Sequence, residues 1–320
     1  MKIGVLGAGS WGTALAILLH ENGHEVTLWS IDKREVAMID EKREQVEKLP
    51  GVMIPDRIAV TNDVESSVTG KDMLVMAVPS IFVRSTSKMI APYIKEGQLI
   101  VNVAKGIEED TLMNMTDIIE DEIKQARVGV LSGPSHAEEV GRRIPTTVVA
   151  GAHDKATAEE IQEAFMSPVF RVYTSPDMVG IELGAALKNV IALAAGIVDG
   201  LGLGDNTKAA LITRGIAEIT RLGLAMGGRF ETFIGLSGIG DLIVTCTSTH
   251  SRNHNAGYLI GQGKSYQEAM DEVKMVVEGV YSAKAALALA KKYNVEVPIT
   301  EQVNQVLFEG RSAKDAVTSL

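Results

Sequence analysis

Lys188 stands in the run Gly184-Ala185-Ala186-Leu187-Lys188-Asn189-Val190-Ile191-Ala192, where nearly every neighbour within one helical turn is small or apolar. A lysine held there loses water, its ammonium form is disfavoured, and it becomes suited to accept and return a proton near neutral pH. The ordinary alternative, an ammonium that reaches water along its own stem, is difficult on a segment that is apolar on all sides. Asp241, in Gly238-Ile239-Gly240-Asp241, is an isolated acid between apolar runs. It can position such a lysine or accept a substrate hydroxyl, and it can equally cap a helix through Leu242-Ile243-Val244. Ser251-Arg252-Asn253 opens another expected helix, and its guanidinium fork with donors on either side suits a phosphate; a surface arginine is the alternative. Together these residues point to proton transfer beside an anchored anion. His136, His250, His254 and Cys246 have no metal-ligand spacing, so no catalytic metal is expected.

A second group lies at the N-terminus. Gly7-Ala8-Gly9-Ser10-Trp11-Gly12 follows an apolar strand and opens a helix through Thr13 to Leu19, the context that the G-x-G-x-x-G pattern requires. Gly7 permits the turn, Gly9 lets the backbone approach a pyrophosphate, and Gly12 allows close packing of helix on strand. The strand Glu25 to Trp29 then ends at Ser30-Ile31-Asp32, with Asp32 twenty residues after Gly12, where a carboxylate accepts from the ribose hydroxyls. NAD or NADP is therefore the expected cofactor. Asp32 favours NAD, although Lys33 and Arg34 follow at once and can neutralise a 2′-phosphate.

Further strand ends carry Lys105, in Val103-Ala104-Lys105-Gly106, and Ser135, in Leu131-Ser132-Gly133-Pro134-Ser135-His136-Ala137. Lys105 is either a phosphate or hydroxyl contact or a solvated loop lysine. Ser135 is either an anion contact at a helix N-terminus or, with Glu138 three residues on, one half of a capping box. Val276-Val277-Glu278-Gly279 reads as the end of a helical stretch and has no role assignable from spacing.

The elements that must hold these groups fall into two halves of the 320-residue chain. Up to about residue 175, buried strands alternate with amphipathic helices: Lys2–Leu6, Glu25–Trp29, Met73–Val78, Leu99–Val103, Val128–Leu131 and Thr146–Ala150 against Thr13–Glu21, Ile81–Ala91 and Lys155–Met166. That is an α/β Rossmann-type domain with a mostly parallel sheet, expected over residues 1–177. Beyond Tyr173-Thr174-Ser175-Pro176-Asp177 the sequence reads as an all-α domain, 178–320, with Met178 to Val198 as its central helix. That helix is interrupted by Glu182, Lys188 and Asn189, so it is a poor membrane span. The net charge of −10 argues against nucleic acid and acidic membranes as partners. One cysteine rules out an intramolecular disulfide and fits a reducing compartment, so a soluble cytoplasmic protein is expected.

Taken together, the motifs resemble the bacterial-type NAD(P)-dependent glycerol-3-phosphate dehydrogenases, nearly end to end. The resemblance rests on Gly7 through Ala16, Lys105-Gly106-Ile107-Glu108, Leu131 through Glu139, Gly184 through Gly204, Gly238 through Asn253 and Val276 through Gly279. Its most specific blocks are Ala186-Leu187-Lys188-Asn189 and Thr245-Cys246-Thr247-Ser248 leading to Ser251-Arg252-Asn253. It implies hydride transfer between a nicotinamide and C2 of a small phosphorylated three-carbon substrate, interconverting dihydroxyacetone phosphate and sn-glycerol 3-phosphate for phospholipid synthesis. By the same resemblance Lys188 is the proton acceptor and donor. Ser10, Trp11, Ala137, Val276 and Glu278 contact the cofactor, while Gly133, Ser135, Asp241, Ser251 and Asn253 line the substrate. Lys105 and Arg252 reach both. Many members carry a basic residue after the second strand where this chain has Ile31-Asp32, a departure that sets this chain apart from the NADP preference often attached to the family. An apolar helical second domain makes a homodimer the expected assembly.

Overall fold

The computed structural model describes residues 1–320 and divides into two compact units. The first comprises Met1–Ala104 and Met115–Met178, the second Lys105–Asn114 and Val179–Leu320. A single cut at 177/178 therefore leaves out a ten-residue excursion that belongs with the helical unit. Ile107 explains the excursion, because its side chain is buried in the core of that unit.

The first unit is built on eight strands: β1 (Lys2–Leu6), β2 (Glu25–Trp29), β3 (Ala59–Thr61), β4 (Met73–Met76), β5 (Leu99–Asn102), β6 (Arg127–Ser132), β7 (Thr146–Ala152) and β8 (Phe170–Ser175). They form one sheet in the order β3-β2-β1-β4-β5-β6-β7-β8, parallel throughout except for the antiparallel pair β6 and β7. β4 and β5 are buried at every position, as strands covered on both faces must be, and apolar except for Asn102 at the end of β5. The two strands not anticipated from sequence, β3 and β8, are the sheet edges. β3 has only three residues, and β8 runs into Tyr173-Thr174-Ser175, the stretch at which the sequence changes character.

Strand order reverses around β1, which lies between β2 and β4. In open α/β sheets, ligands bind beyond the strand C-termini at such a point. The register pairs Leu6 with both Trp29 and Met76, so the residues that follow each strand leave the sheet at one level. Those residues are Gly7, Ser30 and Ala77.

In the second unit the Met178–Gly200 helix is the core element. Its most apolar window has a mean hydropathy of 1.7, enough by length and composition for a membrane span, but that window is wholly buried within the protein. Neighbouring helices approach it closely. A Cβ on Gly196 would lie 2.0 Å from the His254 carbonyl, and one on Gly257 would lie 2.0 Å from that of Leu193. Only glycine permits this crossing, which seats the Arg252–Gly261 helix against the helix that carries Lys188.

Candidate active site

Lys188 is 5% exposed and Asp241 1% exposed. Asp241 is the first residue of the Asp241–Thr247 helix, entered through a wide π-type turn at Leu236–Gly240, and the cap position of that helix is Gly240. Its carboxylate is shared by two ammonium groups. Lys188 Nζ lies 2.8 Å from Oδ1, and Lys105 Nζ lies 2.8 Å from Oδ2. One helical turn beyond Asp241, the Thr245 hydroxyl accepts from Lys188 Nζ at 2.5 Å and donates to the Asp241 carbonyl at 2.6 Å. With its proton committed to the backbone, Thr245 can offer Lys188 only a lone pair. Thr245 was not singled out from sequence, though its spacing of four from Asp241 on a helix was the available signal.

The electrostatics follow from burial. Desolvation lowers the Lys188 pKa to about 8, with the Lys105 charge acting in the same sense and Asp241 opposing it. Burial alone would raise the Asp241 pKa, but Lys105 and Lys188 overcome it and hold the carboxyl below its ordinary range. Burial pushes the neighbouring Cys246 thiol up to about 12, which leaves it inert as a nucleophile.

A buried amide chain fixes this cluster to the surrounding helices. Asn189 Nδ2 donates to the Lys105 carbonyl at 3.4 Å, Asn253 Nδ2 donates to Asn189 Oδ1 at 3.0 Å, and the Gly279 amide donates to Asn253 Oδ1 at 2.8 Å. Ser251 caps its helix by accepting from the His254 amide at 3.2 Å. Arg252, half-buried, donates from Nη1 to the Val276 carbonyl at 3.3 Å. Glu278 is the first residue of the Glu278–Tyr293 helix, so Val276 to Gly279 begins a helix where the sequence suggested an end.

In the first unit each glycine of the N-terminal turn meets a distinct requirement. Gly7 has φ of +116°, and a Cβ there would meet Ala77 at 2.8 Å. A Cβ on Gly12 would lie 1.9 Å from the Gly7 carbonyl. At Gly9 a Cβ meets nothing within 4 Å, so the turn is open where a pyrophosphate would approach. Ser10, buried, and Trp11 begin the Ser10–Glu21 helix, whose free amides face that opening. Asp32 caps the Lys33–Lys42 helix by accepting from the Arg34 amide at 2.8 Å, and this bond foremost holds its carboxyl below the usual range. Its side chain remains half exposed.

Gly133 follows β6 with φ of +148°. The Ser135 hydroxyl donates to the Gly133 carbonyl at 2.9 Å, and the Ala137–Gly141 helix is capped at His136 without a side-chain bond. The capping box suggested by Ser135 and Glu138 is therefore not formed, because the helix starts one residue later than the box requires. Ala137 is buried at that helix start. No group of three His, Cys, Asp or Glu side chains is placed to hold a metal ion.

Family models match both halves of the chain: the N-terminal model of NAD-dependent glycerol-3-phosphate dehydrogenase over residues 2–158 and its C-terminal model over 177–318. The glycerol-3-phosphate dehydrogenase [NAD(P)+] of Agathobacter rectalis is 63% identical, covering 100% of this chain and 95% of its own. That of Fusobacterium nucleatum is 62% identical, covering 100% and 96%. The crystal structure of glycerol-3-phosphate dehydrogenase from Coxiella burnetii superimposes with a TM-score of 0.96 at 36% identity, covering 99% of this chain and 98% of that one. The buried lysine–aspartate cluster and the open glycine turn thus occur in a chain that belongs to the NAD-dependent glycerol-3-phosphate dehydrogenase family.

Proposed function

We propose that Lys188 is the acid–base group of an NAD(P)-dependent oxidoreductase that interconverts sn-glycerol 3-phosphate and dihydroxyacetone phosphate. The observation that carries this reading is the buried Lys188 Nζ, held between Asp241 and Thr245 with its pKa lowered to about 8. A group that titrates near working pH serves both directions: the neutral amine takes the C2 hydroxyl proton in oxidation, and the ammonium returns it to the carbonyl oxygen in reduction. Asp241 and Thr245 aim the amine, and the second ammonium, Lys105, keeps Asp241 ionised.

The planar fork of Arg252, flanked by Ser251 and Asn253 at the start of its helix, supplies the phosphate contact, and Lys105 adds a second cation. Gly133 and Ser135 complete the substrate contacts. The dinucleotide is held by Gly7, Gly9, Ser10, Trp11, Gly12, Asp32, Lys105, Ala137, Arg252, Val276 and Glu278, and when bound it accepts or gives the hydride. The half-exposed Asp32 carboxylate favours NAD over NADP.

Lys188→Ala is expected to abolish turnover while NADH still binds; wild-type rates in this variant would refute the assignment. NADH oxidation should proceed with dihydroxyacetone phosphate and not with dihydroxyacetone. Equal rates on the two would remove the phosphate contact from the mechanism. A homodimer in the cytoplasm, supplying glycerol phosphate for phospholipid synthesis, completes the reading. Light scattering on the purified protein tests the dimer.

A further inference from the structure

Gln45 lies outside every motif read from the sequence, between the Lys33–Lys42 helix and β3, and its side chain is wholly buried. Its Nε2 donates to the Ala8 carbonyl at 2.8 Å and to Glu35 Oε1 at 2.7 Å. Ala8 is the central residue of the Gly7 to Gly9 turn, and the Thr13 hydroxyl reaches the same carbonyl at 3.3 Å. In a planar trans peptide the carbonyl and the following N–H point in opposite directions. Drawing the Ala8 carbonyl inward therefore turns the Gly9 N–H outward, at the one glycine of the turn where an added Cβ meets open space.

Glu35 extends the tie. Its Oε2 accepts from the Ser30 hydroxyl, and the Ser30 oxygen in turn accepts from the Asp32 amide at 3.2 Å. Lys48 Nζ lies 2.5 Å from Oε1 and compensates the charge of a carboxylate that is only 11% exposed. One buried amide thus joins the glycine turn to the turn after β2 that presents Asp32.

We propose that Gln45 is a positioning residue for the dinucleotide: it aims the Gly9 amide at the pyrophosphate and, through Glu35 and Ser30, sets the ribose turn relative to it. This rests on the assignment of the glycine turn and Asp32 as the dinucleotide site. Gln45→Met keeps the volume and removes the donor, while Glu35 retains Lys48 and Ser30, and Ala8 retains Thr13. Calorimetric titration of this variant should show NADH and ADP-ribose binding about tenfold more weakly. Its kcat at saturating NADH and its KM for dihydroxyacetone phosphate should stay at wild-type values. A purely structural role would instead lower Tm and leave the affinity for NADH unchanged, which overturns the proposal. Gly9→Val is the control, since its side chain enters open space in the protein but occupies the pyrophosphate position. Loss of NADH binding in Gly9→Val with normal binding in Gln45→Met refutes the role of Gln45 alone; normal binding in Gly9→Val refutes the site assignment itself. Should Gln45→Met fail to fold, Gln45→Asn, whose shorter amide does not span to Ala8, is read by the same outcomes.

Discussion

Replacing Lys105 by methionine should move the acid–base midpoint of catalysis upward. The Lys188 ammonium shares one carboxylate with the Lys105 ammonium, each 2.8 Å from its own oxygen. Two cations on opposite oxygens of a carboxylate lie roughly 5–6 Å apart, and at an effective dielectric of about 20 their repulsion is about 3 kcal/mol, equivalent to about two pH units. Water entering the space left by Lys105, whose side chain is 18% exposed, screens part of this. A rise of one to two pH units is the expected outcome. Starting from the Lys188 pKa of about 8, the midpoint in Lys105→Met then falls between about 9 and 10.

The assay is kcat/KM for glycerol 3-phosphate oxidation from neutral to strongly alkaline pH, which reports the free enzyme. The second ionisation of a phosphate monoester, near pH 6, lies below this window. Oxidation needs the neutral amine, so the rate rises with pH through the midpoint. Reduction of dihydroxyacetone phosphate needs the ammonium, so its rate falls through the same midpoint. Lys105→Met also removes the proposed phosphate contact and should lower the plateau, but the plateau and the midpoint are separate readouts. A midpoint that is unmoved, or displaced downward, would refute the coupling through Asp241.

Gly12→Ala places a Cβ 1.9 Å from the Gly7 carbonyl and should force the first helix off β1, so NADH affinity and Tm should fall together in titration and thermal melts. Asp32→Ala should lower the ratio of kcat/KM for NADH to that for NADPH by about tenfold, and an unchanged ratio would remove Asp32 from cofactor choice. Glu218, buried in the helical unit, accepts from the Ile299 and Thr300 amides at 2.9 Å each and from the Thr300 hydroxyl at 2.6 Å, capping the Pro298–Phe308 helix. Glu218→Ala strands those donors and should destabilise the protein by about 3 kcal/mol in urea unfolding, with kcat retained. Desolvation lowers the Lys188 pKa, so its contribution to stability is present in full above the unfolded value of 10.5 and is lost as pH falls through about 8. The wild-type protein should therefore gain stability across that window relative to Lys188→Met in urea titrations at fixed pH.

What could be read from the sequence was whatever a local pattern enforces. The buried strands and the apolar Met178–Gly200 helix announce themselves by composition, and the glycine turn does so because each of its three positions excludes a side chain or leaves room for a ligand. Edge strands do not: β3 is three residues long and half solvated, so it carries no period to detect. Residues 105–114 have the same difficulty, since their place in the helical unit depends on the burial of Ile107, a tertiary fact. Asp241 and Ser135 show how a local rule can fit and still lose. Both stand where a cap was plausible, but the cap of the Asp241 helix is Gly240 while the Asp241 carboxylate holds the Lys188 and Lys105 ammonium groups, and Ser135 turns back to the Gly133 carbonyl. Gln45 is the limiting case. A glutamine in a polar stretch carries no signal of its own, and its importance arises only because the fold brings Ala8 and Glu35, 37 and 10 residues away, to the two hydrogens of one amide. Residues that do chemistry are legible by type and spacing; those that aim them become visible only when the chain has closed.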